Sequence, residues 1–544
     1  MNRTRYITIL ISTVMIFIIS FVQEGYSQPR LEWVSNYISD TAQFHFAIDM
    51  ARDSSGNTYI LGAESNYAIL IKINPSGNIE WKRQHLTQGQ NNVKNVFVDK
   101  SGNINIYFYS DGLYFIKYRA DGDSITGKKL NILFNTFSGT NLKVNDNEEV
   151  IIGGTFTNIA SIKTYIIIKL DINFNLIWEY RESYPLSELN NAEILDLNFD
   201  SQNNVYFCGN DALFSIGDTS HSFLTKIKKS GIFEWRKDYA PPHTQTYSHR
   251  ILIDSNDFIY IAGSLYFIPE QGARSLLLKY NTTGNLILSK YYPDSHITGT
   301  DFYTRDVKFD NDENIIVAGV FFSQGTNGDD YKLIKYSKEG KVLWTKIYEG
   351  EYTAEYLTSI AIDNENNIYA TGHQSTFIDT RVYTVKTSSS GQNIWELKYI
   401  SPNFKGRGRG LGKKIIVDKY YDIFIACEGQ IVDLTGDIYC LKYSQLSNTY
   451  FNNEKIKNFE LLQNYPNPFN PETNIVFHIG NSGNYEIKVF DISGKLIEVI
   501  LNKNLTTGIY NINWNAKSHP SGIYFYGLYK DGEKLDMKKM ILIK

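Results

Sequence analysis

Cysteine is almost missing from this chain: three residues in 544. An odd, widely spread set excludes a disulfide framework. Cys427 and Cys440 fall in neighbouring apolar runs, where they read better as buried thiols than as a bridge. Histidine is also scarce, at nine, and only His243 and His249 stand close together. In a loop such a pair could meet at a metal, although solvated histidines are the plainer reading. The sequence has no HExxH, no GxSxG and no CxxC pair, so zinc protease, serine hydrolase and structural zinc readings lack their residues. A net charge of -4 leaves no electrostatic footprint for nucleic acid. No segment after residue 22 is apolar for long enough to cross a bilayer.

What the chain has is sheet composition. Hydrophobic residues make up 42%, with 40 Tyr and 31 Phe, the aromatic bias of strands. The unit around Asp254 sets the pattern: an apolar run Ile251 to Asp254, a polar turn Ser255 to Asp257, and a second run Phe258 to Gly263, which Gly263 ends. Leu276 to Tyr280 and Leu286 to Tyr292 follow, separated by a turn at Asn281 to Gly284. Short Ile-, Val-, Tyr- and Phe-rich runs bounded by Gly, Asn, Asp and Ser predict four antiparallel strands.

The residue that closes the first strand recurs at Asp53, Asp99, Asn145, Asp200, Asp254, Asp310, Asp363 and Asp418, in steps of 46 to 56 residues. A Gly stands nine residues later in six of the eight units, at Gly62, Gly154, Gly209, Gly263, Gly319 and Gly372. In the second unit Ser110 and Gly112 lie near the place, and in the eighth Cys427 takes it. Trp81, Trp178, Trp235, Trp344 and Trp395 mark fourth strands. One such sheet cannot bury its own faces, so the units must stack, and this period predicts an all-β propeller of four-stranded blades. The eighth unit stops after its third strand, while LEWVSNY at Leu31 to Tyr37 is a fourth strand without a unit. Pairing the two closes the ring and removes its edges. Eight blades are expected, with seven and a stray unit as the alternative.

The expected domains are a signal peptide at 1–27, the propeller at 28–443, a linker at 444–459 and a C-terminal β-sandwich at 460–544. Arg3 and Arg5, the apolar run Ile7 to Val22, and small Gly25 and Ser27 read as a cleavable secretory signal; an uncleaved anchor is the alternative. Within the propeller the turns after strands one and three are short, alike and rich in Asn, Asp, Ser and Gly. The connections after strand two and between units, such as Pro293 to Arg305, Glu349 to Leu357 and Ser401 to Gly412, are long and varied. In an up-and-down blade both long sets emerge on one face, where binding is usually carried.

On that face Tyr247, His249, Tyr303, Arg305 and Tyr356 stand just before first strands and should rim the channel. The run KGRGRGLGKK at Lys405 to Lys414 adds Arg407 and Arg409. It departs from a phosphate loop, since Arg407 stands where Gly is needed and Lys414 replaces Ser or Thr. Aromatic and cationic side chains around a funnel suit sugars or anionic polymers, while solvated loops and aromatics packed between blades would look the same. The Asp-rich turns at Asp53 and Asp310 faintly resemble calcium loops but lack the distal Glu, and hairpin turns account for them. No cofactor is expected.

The repeat resembles the bacterial β-propeller repeat family of secreted and surface proteins, marked by D-x-x-x-N-x-Y-x-x-G and K-x-x-x-x-G-x-x-x-W. Here those marks are Asp363, Asn367, Tyr369, Gly372, Lys386, Gly391 and Trp395, and the likeness covers about Leu31 to Tyr443. It implies the fold and no fixed activity. The tail resembles the C-terminal sorting domain of the type IX (Por) secretion system. The matching residues are YPNPFNP, which includes Tyr465, Pro466, Asn467, Pro468 and Phe469; VFDISGK at Val489; Gly508 to Tyr510; PSGIYF with Gly522 and Tyr524; and a basic end with Lys538 and Lys539. That resemblance implies export through the periplasm of a Gram-negative cell to its surface or beyond, with the secretion machinery as partner; an adhesive sandwich that stays on the protein is the alternative.

The leading expectation is therefore a non-enzymatic binding propeller whose ligand is a polysaccharide or a protein. The rival is a propeller enzyme acting on polysaccharide, with Asp294, Asp301 and Glu355 meeting over the channel as paired carboxylates. A structural surface-layer component is the third.

Overall fold

The computed structural model describes residues 28–37, 45–87, 92–131, 136–139, 142–157, 162–185, 189–213, 220–268, 272–293, 300–323, 328–349, 354–376, 379–400, 409–430, 436–445, 459–461, 464, 467–479, 481–505 and 508–543. These fall into two compact units, Ser27–Gln445 and a C-terminal unit from Leu446.

The first unit is eight four-stranded antiparallel blades. Blade 1 runs His45–Arg52, Thr58–Glu64, Tyr67–Ile73, Ile79–Leu86, and blade 2 runs Val93–Val98, Ile104–Tyr109, Leu113–Tyr118, Ser124–Leu130. In blade 3 the first strand is split into Thr136–Gly139 and Lys143–Val144, followed by Val150–Thr157, Ile162–Leu170 and Leu176–Pro185. Blade 4 runs Leu189–Phe199, Val205–Leu213, His221–Ile227, Phe233–Tyr239, and blade 5 runs Thr244–Ile253, Ile259–Phe267, Ala273–Tyr280, Leu286–Tyr292. Blade 6 is Thr300–Phe309, Ile315–Ser323, Asp329–Tyr336, Val342–Tyr348, and blade 7 is Ala354–Ile362, Ile368–Ser375, Thr380–Thr387, Asn393–Tyr399. Blade 8 takes Arg409–Val417, Ile423–Gln430 and Gly436–Ser444 from the end of the unit, and Arg30–Tyr37 from its start. Trp33 pairs with Lys442 and Tyr37 with Ile438, which closes the ring.

Alternation along the second and third strands sends odd and even residues to opposite neighbours. Tyr59 and Leu61 join Ile104 and Ile106 of blade 2, whereas Ile60 joins Phe424 and Cys440 of blade 8. The same division places a hydrophobic core between every adjacent pair of blades, eight in all around the ring. It also separates the cysteines. Cys440 belongs to the core between blades 8 and 1, and Cys427, one step out of register with it, to the core between blades 7 and 8. They occupy opposite faces of one sheet and cannot be bridged; all three cysteines are buried free thiols.

Three repeated devices explain the conserved-looking pattern of the repeats. In the first turn, Asp363 accepts from the Asn367 backbone, the Asn367 amide and the Tyr369 hydroxyl, each at 2.9 Å. Asp53 does the same with Asn57 and Tyr59. Asp310 accepts from the backbone of Asp312 and Asn314 and from Lys335 at 2.7 Å. The Asp-rich turns thus spend their carboxylate oxygens on their own hairpins. On the outer strand, Trp81, Trp178 and Trp344 donate to a backbone carbonyl of the next blade: Trp81 and Lys72 both to Ala120, at 3.1 and 2.8 Å, Trp178 to Lys229 at 2.9 Å, and Trp344 and Lys335 to Ser389, at 3.0 and 3.2 Å. Trp33 does so for the closing blade, donating to Pro75 at 3.1 Å while its ring covers Gly77.

The third device is a bulge in the first strand, and it corrects the expected boundaries. First strands start well before Ile251 and its equivalents, at Thr244, Thr300, Ala354 and Arg409. Their register shifts in the middle, at His249, Arg305, Thr358 and Lys413. Gly263 does not end its strand, which continues to Phe267; it pairs with Ser248 beside the bulge. In blade 2 the equivalent place is Phe108, paired with Val93, and not Ser110 or Gly112.

The C-terminal unit is a two-sheet sandwich. Phe459–Leu461, Glu472–Ile479 and Gly508–Asn515 form one sheet; Leu496–Leu505, Gly483–Asp491, Gly522–Lys530 and Glu533–Leu542 form the other. Phe469, Ile475, Ile487, Trp514, Tyr526 and Leu542 fill the space between them. No helix among the described residues is long and apolar enough to cross a membrane.

Candidate functional site

The inner strands hold one another through a ring of side chains just past the bulges. Asp49 of blade 1 accepts from the Val96 backbone of blade 2 at 3.2 Å, and Asn95 from Leu142 of blade 3 at 2.8 Å. Asp196 accepts from Ile251 of blade 5 at 3.1 Å, and Asp306 from Ile360 of blade 7 at 3.0 Å. Thr358 donates to the Gly412 carbonyl of blade 8 at 2.7 Å, and Lys414 pairs with Asp49 at 3.4 Å. Thr155 of blade 3 accepts from the Ile194 backbone of blade 4 at 3.1 Å, and Thr304 of blade 6 donates to the Gly263 carbonyl of blade 5 at 3.0 Å, which completes the circuit. A bulge inserts one unpaired residue and re-aims its side chain. Around this ring the inserted residues are Ile48, Lys94, Leu195, His249, Arg305, Thr358 and Lys413.

Tyr247, His249, Tyr303, Arg305, Tyr356 and Arg409 therefore all lie within inner strands, on the long-connection side of or at the bulge, not in loops before them. Arg407 is outside the described residues. Over blades 5 and 6 an aromatic row forms: Tyr247 meets Tyr266 edge-on at 5.5 Å, and Tyr266 is hydrogen-bonded to Tyr303, which is 38% exposed. Over blade 7 Tyr356 stacks on His373 at 5.0 Å, 20° from parallel, with its hydroxyl toward Asp329. Burial, aided by Arg250 and Arg305, lowers His249 to about 4; burial, with Lys413 and Arg409, does the same to His373. Both imidazoles are therefore neutral at pH 7, and four cations surround them.

His243 stands in the turn before Thr244, six residues along an extended strand from His249. At about 3.3 Å per residue that is roughly 20 Å, too far for a shared metal. Asp294 is outside the described residues. Asp301 accepts from the Ala273 backbone at 2.6 Å, and Glu355 is fully buried with the Gln374 amide on it at 2.7 Å. Asp301 is thus held by the neighbouring blade 5 and Glu355 by its own blade 7, each on a separate backbone or amide donor. Sequence reasoning missed Tyr266 and His373, whose positions three and one residue past the repeated Gly263 and Gly372 carried the only signal.

The sorting-motif residues close the sandwich end to end. Asn467 accepts from the Ile541 backbone at 2.8 Å, Phe469 donates to Ile541 and accepts from Ile543, both at 2.9 Å, and the Phe469 ring lies 5.6 Å from Trp514. Tyr524 is buried against the same Trp514 and donates to the Pro520 carbonyl at 2.7 Å. Gly522 pairs with Leu542, and Lys538 with Tyr526 across the last two strands; Lys539 is exposed. Tyr465 and Pro466 lie outside the described residues.

No curated protein matches the chain. Among solved structures it is similar to PorZ, an essential bacterial surface component of the type IX secretion system of Porphyromonas gingivalis, at 12% identity and a TM-score of 0.28, over 92% of this chain and 81% of that one. It is also similar to the WD40 domain of SCAP from fission yeast, at 11% identity and a TM-score of 0.39, over 76% and 98%. A protein of unknown function from Bacteroides caccae matches at 12% identity and a TM-score of 0.31, over 53% and 93%. At such scores these likenesses add nothing to a fold that the blades themselves define. The secretion system C-terminal sorting domain family matches residues 463–544. The tail is therefore a sorting domain of the type IX (Por) system, and it marks the chain for export to the cell surface or the extracellular space.

Proposed function

We propose that the exported propeller is a non-enzymatic binding module that takes a polysaccharide on its long-connection face, across blades 5 to 7. The carrying observation is the pair of aromatic platforms, Tyr247–Tyr266–Tyr303 and Tyr356–His373. Tyrosine faces edged by hydroxyls stack on the apolar faces of sugar rings and hydrogen-bond to their rims. Arg305, on the strand of Tyr303, and Arg409, on the first strand of blade 8, favour a chain that carries acidic groups. The same reading includes cleavage of residues 1–27 as a signal peptide, residues that lie outside those described.

Thermal unfolding of the exported protein against a panel of neutral and acidic polysaccharides tests this. A ligand that binds only the folded state raises the midpoint with its concentration. The expected result is a rise with one glycan class that is lost in Tyr303→Ala and Tyr356→Ala. No rise across the panel overturns the glycan reading and leaves a protein ligand for the same face, while product release from any glycan overturns the non-enzymatic part.

A further inference from the structure

Opposite the repeated Gly place, the third strands of seven blades carry an apolar or aromatic residue: Ile69, Tyr114, Ile166, Phe223, Leu276, Tyr383 and Tyr439. Blade 6 carries Lys332 there, paired with Gly319. One step along the same face, Val317 and Ile334 lie in the core between blades 5 and 6. A cation thus takes a place that the fold otherwise fills with core side chains, and such a local break in a consistent pattern is expected at a functional position.

Lys332 is 6% exposed. Among the described residues six other lysines are as deeply buried, Lys72, Lys117, Lys169, Lys226, Lys335 and Lys386, and each has a carboxylate oxygen within 3.7 Å. Lys332 has no hydrogen bond or ion pair among the described residues. Its amine faces aromatic rings instead: Nζ lies 4.0 Å from the centroid of Phe321, on the second strand of its own blade, and 5.2 Å from that of Tyr292, the last residue of blade 5's fourth strand. Both rings are half-buried, so they form a roof between the amine and the surface where the two blades meet. The ring faces favour the ammonium form, but nothing anionic holds it. Burial alone lowers Lys332 to about 8. At pH 7 roughly a tenth of it is then free amine, against about 0.03% of an ordinary lysine. A lysine desolvated in an apolar pocket is an activated nucleophile.

We propose that Lys332 is a covalent capture site for aldehydes, either a free small aldehyde or the open-chain reducing end of a sugar. The amine nitrogen bonds to the carbonyl carbon, and the carbinolamine so formed loses the carbonyl oxygen as water. Both amine protons leave with that oxygen, a C=N imine remains, and nothing is oxidised or reduced. The roof of Phe321 and Tyr292 keeps water from the imine and so opposes its hydrolysis.

The test is the labelling rate of each lysine in the exported protein. Glyceraldehyde or maltose is added with sodium cyanoborohydride, the assay's reductant, which fixes an imine as a secondary amine, and peptide masses locate the label. At pH 7 Lys332 should be labelled at least about tenfold faster than the exposed Lys228 and Lys503. That ratio should fall between pH 7 and pH 10 as the exposed amines lose their protons. Fast labelling by glyceraldehyde alone assigns the site to small free aldehydes, and fast labelling by both extends it to reducing ends of glycans. Lys332→Met restores the apolar kind of residue found in the other blades; it should raise the unfolding midpoint, because an unpaired buried cation is gone, and lose the one fast-labelling equivalent. Lys332 labelled no faster than Lys228 and Lys503 at pH 7, or a fast equivalent retained in Lys332→Met, overturns the proposal. The wild-type rates decide this even if the variant fails to fold. A polysaccharide panel that raises no midpoint leaves the labelling unchanged, so the glycan reading and the aldehyde site fail separately.

Discussion

The side-chain oxygen of Gln445 accepts from the indole N–H of Trp395 at 3.4 Å, and from Lys386 at 3.0 Å. In blades 1 and 6 the Trp and Lys in this register share a backbone carbonyl of the following blade, Ala120 and Ser389 respectively. Blade 8 has no turn from its third strand into a fourth, because its fourth strand comes from the start of the unit. Gln445 supplies the missing acceptor, and its amide N–H groups donate to the Tyr369 hydroxyl and the Tyr421 carbonyl, both at 2.8 Å. Gln445→Ala leaves the buried Trp395 indole N–H without its acceptor, while Lys386 keeps Asp363 at 3.7 Å, and should cost about 1–3 kcal/mol. Chemical denaturation measures this directly, and an unchanged midpoint would show that water replaces the amide without loss.

Gly263 carries the second prediction. A Cβ there would sit 1.9 Å from the Tyr247 carbonyl oxygen, and the same clash with a first-strand carbonyl recurs at Gly209, Gly319 and Gly372. The obstacle is backbone, which cannot rotate away, so Gly263→Ala should destabilise by about 3 kcal/mol. Gly127 has nothing within 4 Å of the same position and no positive φ. Gly127→Ala should leave the midpoint within experimental error, and equal effects at the two sites would refute the bulge-clearance argument.

That glycine also shows where the sequence stops being legible. The eight anchoring aspartates and asparagines, the outer tryptophans and the orphan strand at Leu31 to Tyr37 encode the ring, because each acts within its own hairpin or on the next blade at a fixed offset. The Gly nine residues on was readable as a repeat but not as a bulge partner, since its reason lies in the neighbouring strand's carbonyl. For the same cause Tyr247, Tyr303 and Tyr356 looked like loop residues: the inserted residue breaks the alternation that would have extended their strands. Gln445 read as linker because its role is set by Trp395 and Lys386, fifty or more residues away.

Acid should loosen the long-connection end of the inner ring. His249 and His373 are held near 4 in the folded chain, against about 6.5 when unfolded. Their folded pKa lies below the unfolded one, so the unfolded state binds more protons between these values. Stability from both is complete above about pH 6.5 and is lost as pH falls toward 4. After allowance for solvent screening each is worth on the order of 1–2 kcal/mol. Midpoints measured from pH 8 to pH 4 should fall in the wild type, and less steeply below pH 6.5 in a His249→Asn, His373→Gln double variant. Parallel profiles would mean that the imidazoles are not the titrating groups.

The sorting tail makes a prediction that separates fold from recognition. Asn467 and Phe469 bond the backbone of Ile541 and Ile543, so the two ends of the sorting sequence form one structural clamp. Phe469 is 2% exposed and packs on Trp514, and Phe469→Ala should cost about 3–5 kcal/mol of the sandwich. Lys539 is exposed, and Lys539→Ala should leave the sandwich intact. Limited proteolysis of the tail reports its folding, and the amount of protein reaching the cell surface or medium reports export. If the machinery reads a folded sandwich, Phe469→Ala should become protease-sensitive and lose export in step. Export maintained by a protease-sensitive Phe469→Ala tail would instead mean that the basic, apolar end is read as an extended segment. Export lost in Lys539→Ala with the sandwich intact would then place the recognition on that strand's exposed charge.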